Sequence, residues 1–213
     1  NSFCLCGHYA CNALVPVLPG GIAARIMSRN PKSRAARTAS PDRGRSIVLV
    51  GLMGAGKSSV GRRLAARLGM PFVDADDEIE RAAGMSVSEI FARLGEPAFR
   101  DGERRVIARI IAGPPCVLAT GGGAFVNDAT RALILAEATA IWLDADIETL
   151  VSRVGRRNSR PLLLGKDPRA VLESLAAARN PLYAEAPLRV ASASAPHEVT
   201  VAAVLEALKS WSA

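Results

Sequence analysis

Residues 51–58, with the sequence GLMGAGKS, have the types and spacing that bind nucleotide phosphates. They match the pattern G-x-x-x-x-G-K-[ST], in which glycines let backbone N–H groups converge on phosphate oxygens. Lys57 reaches the outer phosphates, Ser58 supplies a hydroxyl to Mg²⁺, and the N-terminus of a following helix adds partial positive charge. The alternative is a glycine-rich turn that binds nothing, which the register of Lys57 and Ser58 disfavours. We call residues 51–58 the phosphate loop.

Two carboxylates follow the second predicted strand. Asp74 and Asp76 are two residues apart at its end, so in extended geometry both side chains project to the same side. One carboxylate is suited to hold hydrated Mg²⁺, and the other to take the proton of an alcohol. The alternative is that Asp76 only caps the helix that follows.

Other residues are suited to an anionic substrate. Three consecutive glycines at 121–123, which we call the glycine turn, follow the third predicted strand. Backbone without side chains lets a ligand approach closely, although such a run is also typical of a slack turn. Arg100 and Arg179 lie in predicted helices, and Arg160 lies in an irregular stretch. Single arginines are usually solvated, but as a set they favour a carboxylate or phosphate ligand.

Short apolar runs alternate with helix-period segments from residue 46 onward. The predicted strands are 47–50, 71–73, 116–119, 140–143 and 188–190. The predicted helices lie around 60–68, after a capping box at 86–89, and around 128–137, 146–156, 168–180 and 199–208. Since parallel strands need crossover helices, this alternation predicts an α/β fold, a three-layer α/β/α sandwich with a five-stranded parallel sheet. Ligands bind beyond the carboxyl ends of such strands.

Six segments in this order resemble the shikimate kinase family of small P-loop kinases. They are GLMGAGKS at 51–58, FVDAD at 72–76, FRDGE at 99–103, GGG at 121–123, RPLL at 160–163 and ARNPLY at 178–183. The resemblance covers roughly residues 46–210. It implies a P-loop NTPase fold with a substrate-binding region at about 76–111 and a mobile lid at about 156–168. The implied reaction transfers the γ-phosphoryl group of ATP to the 3-hydroxyl of shikimate, on the route to chorismate and the aromatic amino acids.

The resemblance implies three catalytic residues, Asp76, Lys57 and Arg160. Asp76 would orient and deprotonate the attacked hydroxyl, and Arg160 would fold over the phosphates from the lid. Mg²⁺ is the implied cofactor, contacted by Ser58 and, through water, by Asp74. Many P-loop proteins have an Asp that organises Mg²⁺ at the end of the third strand. This chain has none there, an absence that the family shares, so Asp74 must supply that carboxylate.

The resemblance also implies the residues that bind each substrate. Glu103 would support Arg100, and Arg153 would flank adenine. The adenine-contacting segment at 192–197 is loosely patterned here, and Pro196 is our one suggestion within it. The implied shikimate-binding residues are Asp76, Arg100, Gly121, Gly122, Gly123 and Arg179. The implied ATP-binding residues are Gly54, Ala55, Gly56, Lys57, Ser58, Ser59, Arg153 and Arg160.

The net charge of +7 is concentrated in one part of the chain. Residues 1–45 hold seven of the 27 basic and one of the 20 acidic residues, which leaves a net charge of +1 elsewhere. Rich in Pro, Gly, Ser and Arg, this segment is predicted to be a disordered tail before a kinase domain at 46–213. One hypothesis is that residues 1–26 are not native and the natural chain starts near Met27. The nearly neutral remainder, with 4% aromatic residues overall, disfavours a nucleic-acid partner.

The remaining features concern location and partners. Cys4, Cys6 and Cys11 surround His8, but we favour coincidence over a zinc site because no strand or helix pattern flanks them. The cysteines form no disulfide framework, which predicts a reducing, cytoplasmic location, with an organelle transit peptide as the alternative. We also expect a monomer. The charge-free stretch 110–127 is broken by Pro and Gly, so we expect no transmembrane helix and no membrane partner. The rival functions are a gluconate or nucleotide kinase and a P-loop switch that uses the tail to bind nucleic acid.

Overall fold

The computed structural model describes residues 44–155, 167–193 and 195–212. The predicted tail up to residue 43 and residues 156–166 of the predicted lid at 156–168, including Arg160, lie outside these ranges. The strands are β1 (Ile47–Val50), β2 (Phe72–Asp74), β3 (Val117–Ala119), β4 (Thr139–Asp144) and β5 (Leu188–Ala191). The helices are α1 (Lys57–Leu68), α2 (Ala75–Ala83), α3 (Val87–Ile111), α4 (Asp128–Glu137), α5 (Ile147–Val154), α6 (Pro168–Tyr183) and α7 (His197–Ser212), with a 3₁₀ helix at Ala124–Val126.

The described strands form one parallel sheet in the order β2-β3-β1-β4-β5. β1 lies at the centre, and all four of its residues are buried, as expected of a strand covered on both faces. Helix α1 packs on α7, α5 packs on α6, and α3 packs on α4. The predicted α/β/α sandwich with a five-stranded parallel sheet is confirmed. The carboxyl ends of β1, β3 and β2 lie side by side, where ligands bind in such folds.

Helix α1 follows the phosphate loop directly. Val60 and Leu64 are completely buried on its inner face, as their spacing predicts. Leu68, expected to extend the same apolar stripe, is 37% exposed because the helix ends there. Gly69 terminates the helix in the left-handed conformation, with a φ of 63°.

Helix α2 begins earlier than the sequence predicted, at Ala75. Asp74 is its N-cap, and Oδ1 of Asp74 accepts a hydrogen bond from the N–H of Asp76 at 3.2 Å. Asp76 therefore lies in the first turn of a helix, and the prediction that it extends from the strand is wrong. The alternative that Asp76 caps this helix is also wrong, since Asp74 occupies that position. An aspartate at the N-cap satisfies a free N–H group and so favours an early helix start.

Helix α3 carries part of the predicted substrate region and is bent. Its predicted capping box is confirmed, because Ser86 N–H donates to Glu89 Oε2 at 2.8 Å and Glu89 N–H donates to Ser86 Oγ at 3.3 Å. The helix is interrupted at Gly95 (φ 78°, ψ 170°), two residues before Pro97, whose ring disfavours a continuous helix. A small second core joins α3 to α2 and consists of Ile79, Ile90, Phe99 and Val106.

Candidate active site

The phosphate loop connects β1 to α1 at the carboxyl edge of the sheet. Gly56, the N-cap of α1, has a φ of 92°, a conformation that glycine adopts readily. The Lys57 side chain is buried, and its ammonium donates to the carbonyl oxygens of Gly51 at 2.8 Å and Leu52 at 2.9 Å. The positive charge of Lys57 and the N–H groups at the start of α1 therefore both favour binding of an anion at the phosphate loop.

Two side chains join the phosphate loop to the end of β2. The Ser58 hydroxyl donates to Oδ2 of Asp74 at 2.7 Å. β3 lies between β1 and β2 in the sheet, so these side chains bridge over the end of the intervening strand. A hydroxyl and a carboxylate thus face each other beside the phosphate loop.

The glycine turn is crowded by ionisable side chains from α2 and α3. A Cβ atom on Gly121 would lie 2.9 Å from Oε1 of Glu103 and 3.0 Å from Oδ1 of Asp76. A Cβ atom on Gly123 would lie 2.4 Å from Nη2 of Arg100. All three distances are shorter than ordinary Cβ contacts, so only glycine allows these side chains to approach so closely. The turn consequently has a carboxylate beside its first residue and a guanidinium beside its last.

Arg100 is held at the turn by carboxylates of its own helix. Its Nη1 donates to Oε2 of Glu103 at 2.7 Å, and its Nε and Nη2 donate to Oε1 of Glu96 at 3.2 Å. Glu103 is 1% exposed, and its Oε1 has no hydrogen-bond partner in the described part of the chain. Burial raises the pKa of the Glu103 carboxyl, Arg100 opposes this shift, and the charge of Asp76 adds to it. A buried acid therefore fixes the arginine in place.

A second arginine reaches the glycine turn from α6. Nη1 of Arg179 donates to the carbonyl oxygen of Gly122 at 3.0 Å. The hydroxyl of Tyr183, one helical turn further along α6, donates to the same oxygen. The turn thus lies between guanidinium groups that the sequence separates by 79 positions, Arg100 and Arg179.

Arg153 on α5 ties the phosphate loop to the segment after β5. Its Nη1 donates to the Gly54 carbonyl at 3.3 Å and to Ser192 Oγ at 3.1 Å, and its Nη2 donates to the Ala193 carbonyl at 2.6 Å. The Ser192 hydroxyl also donates to the Ala55 carbonyl at 2.8 Å. These bonds hold the Arg153 guanidinium beside the phosphate loop.

A cavity of about 660 Å³ opens along this edge of the sheet. Five predicted site residues do not line it. Gly123 belongs to the glycine turn, and Arg100 and Arg179 contact that turn. Ala55 is buried in the phosphate loop, and Arg160 lies outside the described residues. The predicted site residues that line the cavity are Gly54, Gly56, Lys57, Ser58, Ser59, Asp74, Asp76, Gly121, Gly122 and Arg153.

Sequence reasoning missed several polar residues of this cavity. Thr149 and Ser152 of α5 line it. Thr149 is one helical turn before Arg153, so helical spacing from Arg153 could have found it. At the far end the wall is formed by Ala195 and His197, which flank the suggested Pro196. Burial lowers the pKa of His197, and the charges of nearby arginines lower it further. No sequence signal distinguished this histidine.

A family model for shikimate kinase matches residues 53–209. The chain belongs to the shikimate kinase family. A shikimate kinase of Caulobacter vibrioides is 64% identical over 170 residues, which cover 80% of this chain and 85% of that protein. The solved shikimate kinase from Acinetobacter baumannii, in complex with shikimate, has a TM-score of 0.76 at 36% identity and covers 78% of this chain and 94% of its own.

A gluconokinase from Sinorhizobium meliloti 1021 is a more distant structural neighbour. Its TM-score is 0.56 at 20% identity, with 79% of this chain and 93% of that chain covered. This likeness shows the shared fold alone. The predicted family, fold and class of ATP-dependent kinase are therefore confirmed by the shikimate kinases.

The described residues contain no group of three or more His, Cys, Asp or Glu side chains arranged to hold a metal ion. The facing oxygens of Ser58 and Asp74 nevertheless fit Mg²⁺, which typically takes one or two protein ligands and completes its shell with water and substrate phosphates. Within the same described ranges, no helix has both the length and the apolar character needed to cross a membrane.

Proposed function

We propose that this chain transfers the γ-phosphoryl group of ATP to the 3-hydroxyl of shikimate, giving shikimate 3-phosphate and ADP. This reaction would serve chorismate and aromatic amino acid synthesis. The observation that carries the proposal is the glycine turn beside the phosphate loop, with Asp76 at one end and Arg100 at the other. The proposal gains support from the relative named shikimate kinase at 64% identity and from the Acinetobacter baumannii homologue in complex with shikimate.

Asp76 is the general base in this proposal. Its carboxylate accepts the proton of the 3-hydroxyl while that oxygen attacks the γ-phosphorus, and the bond to the bridging oxygen of ADP breaks. Arg100 and Arg179 bind the carboxylate of shikimate, because a guanidinium group pairs with a carboxylate through two parallel hydrogen bonds. Gly121, Gly122 and Gly123 let the ring of the substrate approach the backbone closely.

The phosphate loop and two arginines position ATP. Lys57 neutralises charge on the transferring phosphoryl group, and Arg160 adds a second positive charge from the proposed lid. Arg153 lies on the adenine side. The proposed ATP-binding residues are Gly54, Ala55, Gly56, Lys57, Ser58, Ser59, Arg153 and Arg160.

Ser58 and Asp74 would hold Mg²⁺, Asp74 through water. The ion would neutralise charge on the β- and γ-phosphates and orient them for transfer. The hydrogen bond between Ser58 and Asp74 keeps both oxygens at the phosphate loop. The protein would therefore supply two oxygen atoms on one side of the ion and leave its other positions to water and the phosphates.

The test is ADP release with shikimate, gluconate and AMP offered in parallel. We expect ADP release with shikimate only. If shikimate produced no ADP release, the proposal would be overturned in favour of a rival kinase or a P-loop switch. Asp76→Asn should nearly abolish turnover while ATP binding survives, because the amide cannot accept the proton. Asp77→Asn, an exposed neighbour on α2, is the matched control and should retain wild-type turnover. Normal turnover of Asp76→Asn would exclude Asp76 as the base.

We also propose that the enzyme is a cytoplasmic monomer. The proposed location is supported by the cysteines, which indicate no disulfide framework in the sequence. Sedimentation of the purified protein at several concentrations tests the oligomeric state. A dimer at the lowest concentration would contradict it.

A further inference from the structure

The Gly122 carbonyl oxygen accepts two hydrogen bonds from one helix. Arg179 Nη1 donates at 3.0 Å, and the Tyr183 hydroxyl is the second donor. The two residues are four apart on α6, so they lie on the same face of the helix. A carbonyl oxygen has two lone pairs, and here both are used.

The Tyr183 side chain is held within an aromatic cluster. Its side chain is completely buried, and its ring lies 6.3 Å from that of Phe125 and 6.1 Å from that of Trp142, measured between centroids. Burial raises the pKa of the Tyr183 phenol, against the opposing effect of the Arg179 charge. The hydroxyl therefore remains protonated at neutral pH and donates from a constant position.

The orientation of the Gly122 peptide affects both arginines. Because a trans peptide is planar, the N–H of Gly123 points opposite to the Gly122 carbonyl, away from α6. The Arg100 guanidinium lies directly against Gly123, 2.4 to 2.7 Å from where a Cβ atom would be. A rotation of this peptide would therefore disturb Arg179 on one side and Arg100 on the other.

We propose that Tyr183 is a positioning residue for recognition of the substrate carboxylate, an inference that rests on the proposed function. Its hydroxyl supplies one of the two hydrogen bonds to the Gly122 carbonyl, so that carbonyl does not depend on Arg179 alone and the guanidinium can turn toward the carboxylate. Without the hydroxyl, that carbonyl depends on Arg179, and the guanidinium is retained on the turn in competition with the substrate. Tyr183 thus acts through Arg179 and does not touch the reacting atoms.

Tyr183→Phe tests this, because it removes the hydroxyl and keeps the ring packing. We expect the KM for shikimate to rise roughly tenfold, the effect of depriving a buried acceptor of one donor. The kcat and the KM for ATP should stay within about twofold of wild type, since no group at the phosphates changes. Binding of shikimate methyl ester, measured by calorimetry, should be equal in the two proteins because the ester has no carboxylate.

A double-mutant cycle with Arg179→Lys separates positioning from general loosening. If Tyr183 acts through Arg179, adding Tyr183→Phe to Arg179→Lys should change the KM for shikimate by less than about twofold. The same tenfold loss in both backgrounds would overturn the proposal, as would an unchanged KM in Tyr183→Phe. A joint rise of both KM values with a lower Tm would show a structural role instead. Wild-type protein without shikimate-dependent ADP release would refute the proposed function itself, which distinguishes the two failures.

Discussion

Gly123→Ala would place a methyl group where the Arg100 guanidinium now lies. The new Cβ atom would be 2.4 Å from Nη2, 2.6 Å from Nη1 and 2.7 Å from Cζ of Arg100. Gly123 has a φ of −101°, which alanine adopts without strain. The substitution therefore leaves the backbone of the turn in place and displaces the Arg100 side chain.

The geometry sets the size of the effect. Ordinary contacts between carbon atoms begin near 3.5 Å, so the guanidinium must move by about 1 Å. A shift of this size is enough to break its hydrogen bond to Glu103, now 2.7 Å long, and it moves the guanidinium from the position proposed to bind the substrate carboxylate. One hydrogen bond to a charged group contributes about 1.5–3 kcal/mol, which corresponds to a rise of about 10- to 150-fold in the KM for shikimate.

Steady-state ADP release with shikimate and ATP varied in turn measures this prediction. Gly102→Ala is the matched control on α3, because a Cβ atom there meets nothing within 4 Å. It should leave both KM values unchanged and raise the free energy of unfolding by about 0.5–1 kcal/mol, since alanine favours a helix. A folded Gly123→Ala protein with the wild-type KM for shikimate would refute substrate binding by Arg100 at its observed position.

Two further predictions concern buried charges. Lys57→Met should lower kcat about 100-fold, because it removes a positive charge at the phosphates. The matched control Lys209→Met, at an exposed position on α7, should leave kcat unchanged. Equal kcat values in the two variants would contradict the role of Lys57. Glu103 has a raised pKa, so the native state holds its proton more tightly than the unfolded chain does. As the pH rises from 4.5, the ordinary pKa of a Glu carboxyl, toward neutrality, the free energy of unfolding of the wild type should fall relative to that of Glu103→Gln. Urea unfolding at several pH values measures both free energies, and an equal pH dependence in the two proteins would contradict the prediction.

Features with a short range along the chain were predictable from the sequence. The phosphate loop needs only a strand, a glycine-rich turn and a helix in succession, and its residues are contiguous. The capping box at Ser86 and Glu89 spans four residues and formed as predicted. Periodicity predicted α1 and its buried face, although it assigned Leu68 to the core where the end of the helix leaves it exposed.

The start of α2 shows where local reasoning failed. The position of Asp74 and Asp76 at the end of a predicted strand led us to expect extended backbone through Asp76. In the structure, Asp74 caps α2 and Asp76 lies in the first turn of that helix. The competing signal was present in the sequence, since aspartate is a preferred N-cap. The carboxylate was nevertheless expected at the correct edge of the sheet, because both conformations follow β2.

The linear pattern of residues was enough to predict the five strands, most of the helices, the phosphate loop and, through six motifs, the family. The contacts between distant segments emerged only in the folded molecule, where Glu103 is buried beside Asp76, and Tyr183 and Arg179 share the carbonyl of Gly122. The two kinds of feature differ in how far apart along the chain the interacting residues are. Helix caps and periodicity depend on neighbours within a few residues, whereas these contacts arise because the sheet order places the end of β3 between those of β1 and β2.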